Sequence, residues 1–136
     1  MASKAVVDAV EARLAANWST CPIFGINDEA TPPADGSPFL IVQYPIASAR
    51  GITVGAPGAN VHREEGTFRI VIHTERGGGT AKGLQWGDEI AAIFRTKAFD
   101  GVRTFSPSPP IEDDTNESGV YYAHSISVPY QFDLIG

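Results

Sequence analysis

Few side chains in this sequence are suited to chemistry, and their spacing works against most of it. Histidine is the usual carrier of protons and metals near neutral pH, and the chain has three, His62, His73 and His124. None has a second ligand at the spacing of a zinc motif. Were the segments around His73 and His124 neighbouring strands, those two would be the candidates for a two-histidine site or for the general base of a small enzyme. Solvated or hydrogen-bonded strand histidines are the plainer reading. Cys21 stands alone in a Pro/Gly-rich stretch with no adjacent base, so a catalytic thiol needs a histidine brought from elsewhere. Glu112, Asp113, Asp114 and Glu117 crowd one stretch but lack the spaced Asp/Asn and glycine of a calcium loop, which leaves a solvated turn. The Gly-x-Ser-x-Gly elbow of hydrolases is absent.

The stretch RIVIHTERGGGTAKG, residues 69–83, has the parts of a nucleotide site: an alternating apolar run, three glycines and a helix-forming sequence. A phosphate cradle also requires Gly-Lys-Ser/Thr after the loop, or a second pair of glycines and an acidic residue closing a βαβ unit. Here Thr80-Ala81-Lys82-Gly83 follows, and neither pattern is met. The glycines read as a joint at which a strand turns sharply into a helix whose first turn Thr80 caps. No cofactor is expected.

Composition narrows the partners. A chain of 136 residues fits one domain, 1–136, with one core. No apolar run approaches the ~20 residues of a membrane span, and the N-terminus has no continuous apolar core of a secretory signal, so neither a membrane nor export is expected. A lone cysteine agrees with a reducing compartment. A formal charge of −6 opposes specific nucleic-acid binding, which requires clustered Lys and Arg. Arg95 and Lys97, the one close basic pair, fall where a helix should end and complement its dipole.

These residues must be positioned by a small set of elements. Val6, Val7, Val10, Leu14 and Trp18 recur at spacings of three and four and predict a helix that starts at a Ser3 cap and ends near Asn17. Residues 19–38, rich in Pro, Gly, Asp and Ser, read as an irregular connection. FLIVQYP, residues 39–45, predicts a buried strand. Residues 46–66 then hold more chain than a small domain requires, either a two-stranded excursion or a mobile loop. In GTFRIVIHTE, Phe68, Ile70 and Ile72 face one way and Thr67, Arg69, Val71 and His73 the other. Residues 80–96 predict a second amphipathic helix, with Gly83 and Gly87 letting it sit close to a sheet. A short strand at residues 102–105 leads to the stiff SPSPP. Residues 107–119 form a further loop. A long alternating strand closes the chain, with Tyr122, His124, Ile126, Val128, Tyr130 and Phe132 on one face and Pro129 marking an edge or a bulge. The expected fold is α+β: a mostly antiparallel sheet, two helices on one face, and a long excursion between the first two core strands.

The order of VVDAVEARLAANW, PFLIVQYP, EGTFRIVIHTE, GDEIAAIFRT and ISVPYQFD resembles the tail terminator proteins of long-tailed bacteriophages over nearly the whole chain. The resemblance implies a structural, non-enzymatic virion protein at the head-proximal end of the tail, assembled in the bacterial host cytoplasm. It implies a homo-oligomeric ring, taken to be a hexamer, that caps the tail tube protein, halts its polymerisation and offers a docking face to the head connector or neck protein. Genome DNA would pass through the lumen without specific binding, which the net negative charge would favour. Another neck or head-completion protein shares the same logic. Residues 46–66, residues 107–119 and the polar face of the Phe68 strand are the candidate contact surfaces. Ile52, Val54 and Val71 would supply apolar contact, and Arg50, Arg63 and Arg69 would pair with acids on a neighbour.

Overall fold

The computed structural model describes residues 1–25, 37–75, 77–112 and 121–136. Helix α1 spans Lys4–Asn17, and strands β1 (Ile23–Phe24), β2 (Phe39–Gly51) and β3 (Val61–Glu75) follow. Helix α2 spans Ala81–Phe94, and β4 (Ala98–Phe99), β5 (Val102–Thr104), β6 (Ile111–Glu112) and β7 (Tyr121–Ile135) complete the chain. The strands form one seven-stranded sheet in the order β1-β2-β3-β7-β5-β4, with β6 also on β7. Every pairing is antiparallel except β1 with β2.

Alternation along the long strands sends one apolar set to the helices. Leu40, Val42, Phe68, Ile70, Ile72, Ile126 and Val128 are fully buried against Val6, Val10 and Leu14 of α1 and Ile90 and Phe94 of α2. Both helices therefore cover the same face. Trp18 meets Trp86 edge to face at 5.4 Å where α1 and α2 come together. The close seat of α2 depends on its glycines. A Cβ on Gly83 would lie 2.6 Å from Nδ1 of His124, and one on Gly87 would lie 2.6 Å from Cγ of Pro110.

The glycine run is a joint. Gly77 and Gly79 adopt φ of 88° and 80°, a left-handed conformation that glycine takes without the steric cost of a Cβ. The expected caps differ in detail. Neither Ser3 nor Thr80 makes a side-chain capping hydrogen bond. The first backbone amide at α1 is satisfied instead from across the fold, where Ser3 N donates to Glu64 Oε2 at 3.2 Å.

Pro129 lies in an interior strand with no register shift at its pairing to Thr67. Its position is tolerated because the far side of β7 is irregular there. β5 stops pairing at Tyr130 and β6 starts at Ser125, and Phe105 N donates to the Pro129 carbonyl at 3.0 Å, so the proline's missing N–H faces the proline-rich segment.

The excursion takes the first of its two expected forms. β2 and β3 run on past the helix layer as a two-stranded ribbon, Ile46↔Thr67 through Gly51↔His62, after a register shift between Gln43 and Ile46. β7 follows β3 to the same level, pairing Val61↔Ile135. The result is a three-stranded arm closed by the turn at residues 52–60.

Candidate assembly surface

The arm is built at its root by one close approach. Gly66 sits beside the register shift, and a Cβ there would fall on the Ile46 carbonyl oxygen and lie 2.9 Å from Tyr130 Oη. Beneath it Glu64 is 6% exposed and accepts from Tyr130 Oη at 2.6 Å. Burial and this carboxylate together push the Tyr130 phenol well above its usual value. A buried carboxylate is tolerable only when it is hydrogen-bonded. Here Tyr130 and the Ser3 amide just ahead of α1 supply the bonds and tie the arm to the helix layer.

The polar side of the arm carries the expected arginines, and each engages its own subunit. Arg63 grips Asp133 through Nε at 2.8 Å and Nη2 at 3.0 Å. That fork holds the Asp133 carboxyl below the usual value, with Arg103 3.6 Å away adding to it. Arg69 donates from Nε to Gln43 Oε1 at 2.9 Å. Arg50 reaches Glu65 at 3.4 Å, but both side chains are largely exposed, so this pair adds little and leaves Arg50 open to other carboxylates. Ile52 and Val54 stand on the tip, with Val54 in full contact with solvent. Val71 is buried at 4% exposure and offers no surface. Ile46, Leu134 and Ile135, which the sequence did not single out, are exposed on the arm's flanks. Their signal was available: Ile46 follows Pro45 at the end of the buried run, and Leu134 and Ile135 are the last apolar residues of the closing strand.

The histidines do not converge. His73 is opposite Ala123 and His124 opposite Ile72, so the two are on adjacent strands but opposite sheet faces. His73 stacks on Phe39 at 4.3 Å. His124 is buried under Gly83, and burial pushes its pKa down against the pull of Glu112. His62 is on the arm, within 3.2 Å of the Gly136 carbonyl. Cys21 receives a hydrogen bond from Trp18 Nε1 at 3.4 Å, and burial pushes its thiol up, away from a reactive thiolate. No group of three or more His, Cys, Asp or Glu able to hold a metal occurs among the described residues. Of the acidic stretch only Glu112 is described; Asp113, Asp114, Glu117 and the rest of the loop to residue 119 lie outside the described residues. No helix among the described residues is long and apolar enough to cross a membrane.

The subunit is thus a small α+β fold whose surplus chain forms a projecting arm. A solved structure matches it over 100% of this chain and 99% of its own, with a TM-score of 0.60 and 22% identity, a likeness of fold. No curated protein matches the chain. The family model of the phage tail terminator proteins matches residues 5–130, and the chain belongs to that family. It is a structural, non-enzymatic component of a phage tail, and the general-base reading of His73 or His124 falls with that finding.

Proposed function

We propose that this protein forms a closed ring, with six subunits as the family resemblance implies, on the last ring of the tail tube. There it stops tube polymerisation and presents the surface to which the head's neck protein attaches. The observation that carries the reading is the arm. Membership in the tail terminator family supplies the context, and the arm supplies exposed apolar surface in Ile46, Ile52, Val54 and Ile135. Exposed apolar residues grouped on one projection mark a contact site. A ring needs two different patches that meet head to tail, and the arm has two flanks. The charge of −6 keeps passing DNA from adhering.

Light scattering after size exclusion, with and without purified tail tubes, tests the reading. Ring-sized particles or tube-end binding support it. A protein that remains a monomer in both conditions and leaves tube ends bare contradicts it.

A further inference from the structure

Among the described residues the arm leaves two strand edges open, and the hydrogen-bond alternation identifies which backbone groups they expose. Ile52 N donates to the Val61 carbonyl at 2.9 Å, so Val61 turns its backbone toward β2. Polar groups alternate sides along an antiparallel strand. Counting back through the register, Arg50 and Ser48 also turn toward β3, while Ala47, Ala49 and Gly51 turn their N–H and C=O groups away from it. β1 covers that side of β2 only at Leu40 and Ile41.

The other flank follows by the same count. Asn60 and Gly136 exchange backbone hydrogen bonds of 3.3 and 2.9 Å. Leu134 and Phe132 therefore turn toward β3, and Asp133 and Ile135 turn away. Phe105 donating to the outward Pro129 carbonyl agrees with this phase. β5 ends its pairing at Phe132, so it does not reach Asp133 or Ile135.

Natural edges are usually blunted by proline, lysine, a bulge or a cover. The root of β2 has Pro45 and the register shift, but the outward positions beyond it are Ala47, Ala49 and Gly51, which let a second backbone come close. We infer that the outer edge of residues 47–51 in one copy pairs with the outer edge of residues 133–135 in the next, extending the sheet from subunit to subunit by strand addition. This rests on the ring reading and names how the ring is joined.

Direction favours a second copy as the occupant. β2 and β7 are both antiparallel to β3, so they run parallel to each other. Joining β7 of one copy to β2 of the next then requires no reversal, and a rotation about an axis along the strands generates every joint alike. The same joint covers Ile46 and Ile135, which are 65% and 75% exposed in the lone subunit.

Proline at an outward position removes the joining N–H and spares the internal ladder. Ala49→Pro and Ile135→Pro should each hold the full chain as a folded monomer under conditions where the unmodified protein forms rings. Mixed in equal amounts they should give a dimer and stop there, since each retains the edge the other lacks. Rings formed by either variant alone, or a mixture that never dimerises, would overturn the inference while leaving the ring itself standing. Unmodified protein that never assembles would overturn both. If a proline variant fails to fold, amide exchange on the unmodified protein decides. The amides of Ala47, Ala49, Gly51, Asp133 and Ile135 should slow at least tenfold between monomer and ring, and unchanged exchange at all of them would overturn the joint.

Discussion

Replacing Gly66 by alanine should damage the root of the arm more than the sequence suggests, because alanine is otherwise the better strand residue. The added Cβ meets the Ile46 carbonyl oxygen, which belongs to the paired backbone, and comes within 2.9 Å of Tyr130 Oη and 3.0 Å of Ala47 Cα. Backbone on one side and a buried ring on the other leave no flexible end to move aside. Overpacking of this kind costs about 1–3 kcal/mol, and pushing Tyr130 off Glu64 forfeits about 1.5–3 kcal/mol for a hydrogen bond to a charged group. The lower entropy of the unfolded alanine chain returns about 0.4–1 kcal/mol. The net loss is about 2–5 kcal/mol, and at about 3–4 °C per kcal/mol for a chain of this size the melting temperature falls by about 6–20 °C. Urea titration at pH 7, with Gly58→Ala as control, measures it. Gly58 has φ of 86° and nothing within 4 Å of where an alanine Cβ would stand, so only the left-handed backbone cost of about 1–2 kcal/mol applies there. A Gly66→Ala protein as stable as the parent, or no worse than Gly58→Ala, would refute the reasoning.

Three other outcomes follow from the same geometry. Gly83→Ala should destabilise despite alanine's higher helix propensity of about 1 kcal/mol, because the methyl meets the buried His124 ring at 2.6 Å. In a His124→Ala background the same change should stabilise, and a double-mutant cycle reads the difference. His124 has its pKa lowered by burial, so between its folded value and the ordinary 6.5 the unfolded chain holds more protons. Stability should therefore decline as pH falls through that window, with a shallower slope in His124→Phe when melting is followed from pH 7.5 to about 5. Asp133 is the opposite sign of group, with its pKa depressed by Arg63. Its contribution is complete above the ordinary aspartate value and fades as pH falls through the folded one, so Asp133→Asn should lower the urea midpoint at pH 7 and lose that difference in strong acid.

Much of the fold is legible because its long elements are strictly periodic. Phe68, Ile70 and Ile72 alternate without a break, and Val6, Val10 and Leu14 keep one helical face, so pattern and packing agree. The short strands are not legible by periodicity. β1 is a pair of residues inside a Pro/Gly-rich connection, and it exists only because β2 offers an edge. β4 and β5 form a hairpin around Asp100 and Gly101, whose φ values are 48° and 83°. Asp-Gly is the usual signal for that turn, so the strand ending at Phe99 is readable from its turn, although two residues are too few to show alternation. Of the surface, Ile52 and Val54 stand out by being apolar within a turn-rich segment. Arg63 and Arg69 give no hint that Asp133 and Gln43 claim them, because those contacts cross from strand to strand. Val71 reads as outward by alternation and is nonetheless buried, although Arg69 and His73 on the same face stay half-buried. Periodicity tells which face a residue is on, and not how deeply its neighbours bury it there.

The most direct test of the account is electron microscopy of purified tail tubes elongating in the presence of the protein. The account predicts a ring at one end of each tube and growth that ceases once the ring is seated, with neck protein binding only to capped ends. Tubes that lengthen at the same rate with and without the protein, and that carry no added density at either end, would contradict it.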